Sequence, residues 1–371
     1  MPHAPCPMPH AHVLNEETIA DIAMIKLYRF FQLIAQLLAY TYSALIASYL
    51  ILRLIFWDSL WQVGFAGDFV PWILLPIFLL PILAFFVIKK RWFAIVSSVA
   101  CIWLLGWLHL TYFSPQPANI SNSPLSVKVF SANFGWHTKS PEPLIKLIQS
   151  EKPDLICLQE IGGKDTETVF SKLAALYPHH RGREYHVILS RYPIRSFQGL
   201  HLGAGKEPQE RAIIEINQQD VVLYNISTTP PWIRKQKILP FLTIPVYDYP
   251  ERPKQIKDLV RRLQKETLPV IAAGDFNFTE QSQDYHELKT VVRDAFRTAG
   301  WGLGFTWPSG WNLNLFNQKL KGELNFPLVK LDYVWYSPHW GAKSAKVFPT
   351  IGSEHLPVGA ELQMQPESAR M

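Results

Sequence analysis

Side chains able to bind a metal ion or transfer a proton follow short apolar runs at several points in the second half of the chain. In chain order they are Asn133, Gln159, Glu160, Asp275, Asn277, Asp332, Glu354 and His355. Carboxylate and amide oxygens are the ligands that hard divalent cations prefer, and a carboxylate beside an imidazole can position and activate water. Each motif by itself is more often a turn or a surface loop. The chemistry therefore depends on whether the fold brings these side chains together.

The elements that would bring them together are short strands alternating with helices from residue 125 onward. The apolar patterns predict strands at 126–133, 155–158, 185–190, 212–216, 221–226, 269–273, 331–336 and 359–362, and helices at 141–150 and 254–266. Strands outnumber helices and several are separated by hairpin-sized connections, which indicates an α/β domain with at least one largely antiparallel sheet. We expect the polar residues that end these strands to collect at one rim of a sheet.

Residues 1–113 differ in composition from the rest of the chain. The whole chain is 48% hydrophobic and 18% charged, against about 25% charged in ordinary soluble proteins, and residues 1–113 contain only 6 basic and 5 acidic residues. Three runs, 30–52, 69–88 and 92–113, contain no Asp, Glu, Lys or Arg. Each has roughly the 20 residues that a helix needs to cross about 30 Å of hydrocarbon. The sequence predicts three membrane spans, with a lipid bilayer as the partner of residues 30–113; buried helices of a large soluble protein are the alternative.

Basic residues beside these runs predict the orientation of the chain. Lys26 and Arg29 precede the first run and a Lys-Lys-Arg group at 89–91 separates the second from the third, whereas Arg53 alone lies between the first and second. Because basic residues accumulate on the cytoplasmic side, we expect a multi-pass protein of the cell membrane whose C-terminal domain is extracytoplasmic. The predicted limits are a tail at 1–29, the spans within 30–113, a linker at 114–124 and the domain at 125–371. Histidines and a cysteine in the first dozen residues could form a metal-binding tract, but a disordered tail is the favoured interpretation.

The order of the site motifs resembles that of the endonuclease/exonuclease/phosphatase superfamily. These motifs are Asn133, Gln159-Glu160, Ser-Arg-Tyr-Pro-Ile at 190–194, Gly-Asp-Phe-Asn at 274–277, Leu-Asp-Tyr at 331–333 and Ser-Glu-His-Leu-Pro at 353–357. The likeness covers about residues 125–364, and the stretches 294–297 and 304–308 are similar to a bacterial branch with membrane spans before its catalytic domain. The resemblance implies an α/β four-layer sandwich, in which two packed β-sheets are flanked by helices, and metal-dependent hydrolysis of a phosphoester.

The resemblance also implies a metal site. Glu160 would be the principal ligand of Mg²⁺ or Mn²⁺, and Asn133 would help to place the metal or the phosphate. Glu354 occupies the position of the family's aspartate next to the histidine, which makes it a further candidate ligand. A divalent cation suits this chemistry because a phosphodiester is anionic and gains charge during the reaction.

The implied catalytic roles belong to four other residues. Asp275 and Asn277 would orient the attacking water and a phosphate oxygen. Asp332 would hold His355, since a carboxylate hydrogen-bonded to an imidazole fixes its tautomer and raises its pKa.

Two positions depart from the family pattern. The family usually has Asn-x-His where this chain has Asn225-Ile226-Ser227, so a hydroxyl replaces an imidazole that would face the phosphate. The usual Ser-Asp-His is here Ser-Glu-His, one methylene longer. Losing an electrostatic donor of this kind typically costs about 10²–10³ in rate. Ser227 therefore leaves two functions open, a phosphodiesterase and a phosphate-recognising binding module of the same fold.

The sequence leaves the substrate open between nucleic acid and phospholipid. Basic residues available for phosphate binding are Arg181, Arg183, Arg191, Arg234, Lys235, Lys237, Arg252, Lys254, Lys257, Arg261 and Arg262. Against a nucleic-acid groove stands an apolar, proline-bearing insertion at 238–249, which with Trp232 could rest on a bilayer. A transporter is disfavoured because the charge-free spans offer no ion path. We therefore expect a membrane-anchored, Mg²⁺-dependent phosphodiesterase; no protein partner can be inferred.

Overall fold

The computed structural model describes residues 16–117, 125–183, 185–205, 208–239, 242–312 and 322–366. Its described residues divide into two compact units, one within Met1–Ile51 and Pro71–Leu105, the other within Leu52–Val70 and Gly106–Met371. The first dozen residues, predicted to be a disordered tail, and residues 118–124 of the predicted linker lie outside the described residues.

The first unit is helical because its sequence is apolar and nearly free of charge. Helices α1 (Glu16–Phe56), α3 (Val70–Ile88) and α4 (Arg91–Tyr112) are long and apolar enough to cross a membrane. Most of their apolar side chains are exposed in the protein alone, and a small core forms within the unit around Ala39 and Ala84. Helix α1 begins at Glu16, so part of the predicted tail at 1–29 is helical.

The short helix α2 (Trp61–Asp68) lies in the connection between α1 and α3. This 52–70 connection belongs to the second unit.

The second unit contains two six-stranded sheets. Their strands are β1 (Ser126–Asn133), β2 (Leu155–Gln159), β3 (His179–Arg183), β4 (His186–Ser190), β5 (Ile194–Leu200), β6 (Gln209–Ile216), β7 (Gln219–Ser227), β10 (Val270–Asp275), β11 (Arg293–Asp294), β14 (Asp332–Tyr336), β15 (Trp340–Val347) and β16 (Val358–Met364). The first sheet has the order β15-β16-β1-β2-β4-β3 and the second β11-β14-β10-β7-β6-β5. Each sheet has one parallel pair at its centre, β1 with β2 and β7 with β10, and antiparallel pairs around it. The sheets are therefore mixed.

Two further hairpin-like pairs lie outside these sheets. They are formed by β8 (Trp232–Leu239) with β9 (Leu242–Asp248) and by β12 (Trp311–Asn312) with β13 (Glu323–Leu324). The predicted apolar insertion at 238–249 is thus largely strand β9 and the end of β8.

Helices cover the outer faces of both sheets. They are α5 (Glu142–Glu151), α6 (Gly163–Leu173), α7 (Arg252–Leu263) and α8 (Gln283–Leu288), whereas α9 (Ala295–Ala299) packs through Ala295 against the core between the sheets. Because successive strand residues point to opposite faces, Val129 enters the core between the sheets while Phe130 packs with Ile148 of α5. On the second sheet Leu223 faces inward and Tyr224 joins a core that includes α7. The predicted four-layer α/β sandwich is confirmed.

Candidate active site

The candidate site lies where the inward faces of the two sheets reach the ends of their strands. Asn133 ends β1, Asp275 ends β10 and Asp332 begins β14. Each is an even number of residues from an inward-facing core residue of its own strand, such as Val129 in β1 and Ile271 in β10. The alternation that builds the core therefore also aims these polar side chains inward, at the rim of the sandwich.

Strand register brings side chains from different parts of the chain together. In the second sheet Asp275 is paired with Asp332 on one side and with Ser227 on the other. Asn133, from the first sheet, donates through Nδ2 to Asp275 Oδ2 and to Glu160 Oε1, each over 3.0 Å. One amide thus joins a carboxylate from each sheet.

Two oxygens of this cluster are available to a cation. Among the described residues, Asn133 Oδ1 and Asp332 Oδ1 are buried and have no hydrogen-bond partner. Ligand atoms of Asp275, Asp332 and His355 lie within 4.8 Å of one another. Such an oxygen-rich set with several carboxylates fits a hard divalent cation such as Mg²⁺ or Mn²⁺, and these residues therefore suit the metal that the family likeness implies.

An aspartate–histidine pair forms the other half of the site. His355 Nδ1 lies 2.9 Å from Asp332 Oδ2, and His355 Nε2 lies 3.8 Å from Asp275 Oδ2. Burial alone would lower the pKa of His355, but the carboxylates of Asp332 and Asp275, helped by Glu160, raise it to about 10. The imidazole is therefore a cation at neutral pH.

Whereas the charged form of His355 is favoured, the charged form of Asp275 is disfavoured. Its complete burial raises its pKa to about 7, the negative charges of Asp332 and Glu160 add to the rise, and His355 opposes it. A carboxylate whose pKa lies near neutrality can both accept and release a proton in the working range of an enzyme.

Glu160 and Asn277 have backbones in the left-handed region, with φ of +52° and +50°. Such a conformation typically costs about 1–3 kcal/mol for a residue other than glycine and is often found at functional sites. Hydrogen bonds hold Asn277 there: its backbone N–H donates to Asp275 Oδ1 over 3.0 Å, and its Nδ2 donates to Asp275 Oδ2 over 3.1 Å. The Asn277 amide is thereby fixed beside the Asp275 carboxylate.

A layer of buried polar side chains next to the site connects the two sheets. Gln159 Nε2 donates to Asn225 Oδ1 over 2.7 Å, and Asn225 Nδ2 donates to Glu210 Oε2 over 3.0 Å. These bonds cross from β2 to β7 and β6, so they lock one sheet to the other. Gln159 and Asn225 are therefore structural in this fold, and Ser227, two residues after Asn225, shares the inward face of β7.

Two residues with supporting contacts, Ser353 and Thr306, were not assigned roles from the sequence, and a third, Arg252, was assigned a different one. Ser353 Oγ donates to Asn133 O over 2.7 Å and accepts from the backbone N–H of His355, which ties the histidine loop to β1. Thr306 Oγ1 accepts from the backbone N–H of Asp332. Arg252 donates to Asn277 O and holds Asp284 at 2.7 Å. Ser353 and Thr306 lie within the motifs at 353–357 and 304–308, and this position was the sequence signal that could have identified them.

One sequence expectation does not match the geometry, and the metal-ligand role of Glu354 stays a prediction. Arg252 was expected to be available for phosphate, but it is buried in its ion pair with Asp284 because that acid lies on the neighbouring helix α8. Glu354 is half-buried beside His355, yet among the described residues no hydrogen bond or ion pair joins its carboxylate to the cluster. The other predicted residues meet at one place; Ser227 is the partner of Asp275 in the strand ladder.

Comparisons with known proteins agree with this architecture. The model of the Endonuclease/Exonuclease/phosphatase family matches residues 121–355. An endonuclease/exonuclease/phosphatase family protein from Bacteroides thetaiotaomicron is 17% identical, with a TM-score of 0.50, over 67% of this chain and 99% of that chain. A Bacteroides vulgatus structure of the same description gives 16% identity and a TM-score of 0.47 over 65% of this chain and 100% of that one. A humanized D. rerio TDP2 structure is 16% identical, with a TM-score of 0.48, over 64% of this chain and 99% of that chain. No curated protein matches the sequence.

Proposed function

Because the chain belongs to the endonuclease/exonuclease/phosphatase family, we propose that residues 125–371 are a divalent-metal-dependent phosphodiesterase held at a membrane by residues 30–113. The observation that carries this proposal is the convergence of Glu160, Asn133, Asp275, Asp332 and His355 at one rim of the sandwich. Such a set combines oxygen ligands, a basic carboxylate and a cationic imidazole, which are the parts that diester hydrolysis needs.

Glu160 and the free Oδ1 of Asn133 would hold the metal ion, with Glu354 a further candidate ligand. When bound, Mg²⁺ or Mn²⁺ would neutralise the charge that develops on the phosphate. Asp275, whose pKa is raised, takes a proton from the attacking water, and Asn277 holds that carboxylate in position. His355, kept cationic by Asp332, faces the phosphate oxygens and stabilises their charge.

The metal assignment gives the first expected result. The full chain in detergent micelles should hydrolyse bis-p-nitrophenyl phosphate, DNA or a phospholipid with Mg²⁺, and chelation should stop the reaction. Glu160→Gln keeps the size of the side chain but removes the charge, so titration calorimetry should show at least about tenfold weaker Mg²⁺ binding. Glu287→Gln, at a half-buried position of helix α8 outside the cluster, is the matched control. Equal metal affinity in parent and Glu160→Gln would refute the ligand assignment, and inactivity on every diester would refute the phosphodiesterase.

A binding module of the same fold is the second candidate, and Ser227 is the observation in its favour. Ser227→His should restore an imidazole at the rim beside Asp275 and raise kcat by about 10–100-fold with little change in KM, because charge on the phosphate grows toward the transition state. Ser227→Ala, which adds no cation, should leave kcat within about twofold. If the parent is active and Ser227→His leaves its kcat unchanged or lowers it, another group already supplies the positive charge. Metal binding without turnover in both proteins would favour the binding module.

The proposed topology places the C-terminal domain outside the cytoplasm. Three crossings put the 52–70 connection and the domain on the same side, and both belong to one compact unit, which supports the number of crossings; the assignment of that side rests on the basic residues. Protease added to intact cells should cut residues 125–371, while the Lys-Lys-Arg site at 89–91 should be cut only after permeabilisation. A domain that stays uncut until cells are permeabilised would place it in the cytoplasm. Arg53, the basic residue on the unexpected side, donates to Gln281.

A further inference from the structure

We infer that this active site works at the membrane surface and that its substrate is a phosphodiester carried by a lipid headgroup. The inference rests on the proposed function and names the substrate class that the sequence left open.

The loop that follows β10 joins the catalytic residues to the ends of two candidate spans. Gln281 O accepts hydrogen bonds from Trp57 Nε1 over 3.0 Å and from Arg53, which lie at the end of α1. Gln281 Nε2 lies 3.4 Å from the hydroxyl of Tyr112, the last residue of α4. This loop begins with Asp275 and Asn277, so the site and the membrane attachment share one short stretch of backbone.

The length of that stretch limits how far the site can be from the bilayer. Asn277 and Gln281 are four residues apart, which an extended chain spans with at most about 14 Å. The headgroup layer extends roughly 5–8 Å beyond the hydrocarbon on each side. Since Gln281 bonds to residues at the ends of two candidate spans, the inference puts lipid phosphates within reach of the catalytic cluster.

The attachment is stiff because the 52–70 connection is bonded to two parts of the domain. Asp68 accepts from Thr279 Oγ1 over 2.7 Å and from Tyr247 of β9 over 2.8 Å. Asp58 accepts from the backbone N–H of Gln283 over 2.8 Å. These bonds attach the connection between the first two candidate spans to the domain itself, so that the connection and the domain are parts of one folded unit.

The surface around the attachment fits a membrane better than a nucleic acid. Trp301 is 70% exposed and packs edge-on against Phe113, just past the end of α4, with ring centroids 5.1 Å apart. Aromatic residues at such positions favour the headgroup region. Two of the basic residues expected to bind phosphate are already paired, Arg252 with Asp284 and Arg191 with Asp154. The described part of the domain thus offers less of a basic track than the sequence indicated.

The first test compares substrates presented to the full chain in phospholipid nanodiscs with Mg²⁺. The probes are phosphatidylglycerol within the nanodisc, its water-soluble short-chain analogue and a single-stranded DNA oligonucleotide, at equal phosphate concentration. We expect the bilayer lipid to be hydrolysed at least about 100-fold faster than either soluble substrate. Equal or faster hydrolysis of the DNA or of the short-chain analogue would overturn the inference and leave the phosphodiesterase intact.

A second test uses a variant that should change how the active site is held at the membrane without changing its catalytic residues. Trp57→Phe removes the indole donor to Gln281 but keeps an aromatic ring, so it should lower the rate on bilayer lipid about three- to tenfold while leaving the rate on soluble bis-p-nitrophenyl phosphate unchanged. Trp92→Phe, at the opposite end of α4, is the matched control and should change neither rate. A loss on both substrates would show a general structural effect and count against a positioning role.

The third test does not require activity. A fluorophore is attached to Glu251→Cys, beside Arg252, or to Gln219→Cys, at the other end of β7 and roughly 26 Å from Ser227, in a chain whose native cysteines are replaced. An acceptor on lipid headgroups should take energy strongly from the first label and weakly from the second. Equal transfer, or stronger transfer from Gln219→Cys, would overturn the inference even if no substrate is hydrolysed; inactivity with the expected transfer would refute only the proposed function.

Discussion

His355→Ala is expected to lower phosphodiester hydrolysis by at least about 10³-fold while leaving metal affinity within a few-fold of the parent. The imidazole lies 2.9 Å from Asp332 and its pKa is raised to about 10, so it supplies a fixed positive charge that alanine cannot. Steady-state kinetics on bis-p-nitrophenyl phosphate would measure the loss, with His201→Ala, an exposed histidine, as the control. A variant that retains a tenth of the parent rate would remove His355 from the reaction.

The pH profile of the parent should carry the same signature. His355 must be protonated, so activity should fall as pH rises through its raised pKa; Asp275 must be ionised, so activity should fall as pH drops through its own. A bound divalent cation lowers the pKa of a nearby carboxylate, and the acid limb should therefore move to lower pH as Mg²⁺ is raised.

Asp275→Asn is expected to lower kcat by about 10²–10⁴-fold, because an amide cannot accept a proton from water. The substitution should not lower the stability of the folded protein. Burial raises the pKa of Asp275 above its value in the unfolded chain, so its ionised form costs stability at and above neutral pH; the cost shrinks as pH falls through the raised pKa and disappears only below the pKa of the unfolded chain. Thermal unfolding at pH 8 should show a melting temperature at least equal to that of the parent, and the difference should shrink toward pH 5. A clear drop in melting temperature would mean that Asp275 is mainly structural.

The convergence of these side chains at one rim could be predicted because much of what determines it is local. Asn133, Asp275 and Asp332 extend the two-residue alternation of strands whose apolar residues are visible in the sequence, and the structure places these strands within a few residues of the prediction. A polar residue in phase with a buried strand face must point into the sandwich. Its neighbours across the sheet then depend on register, which the family order supplied.

Other features depend on contacts that a linear pattern does not reveal. Arg252 reads as one more basic residue of an amphipathic helix, and only the position of Asp284 on α8 makes it a buried ion pair. The apolar run around Pro245 predicted an insertion because proline is uncommon inside a strand. The structure shows that this run is strand β9, which lies outside both large sheets. Asp58 and Asp68 read as polar loop residues because their partners come more than 170 positions later.

That separation also shapes how the protein is made. Asp68 and Thr279 are 211 residues apart in the chain, and at about 5–20 residues per second a ribosome needs roughly 10–40 s to synthesise the stretch between them. The 52–70 connection is therefore complete, and its carboxylates hydrated, long before their hydrogen-bond donors exist. Folding of the second unit therefore includes a late docking step, in which an early segment receives its partners only after the chain beyond the third apolar helix has been synthesised.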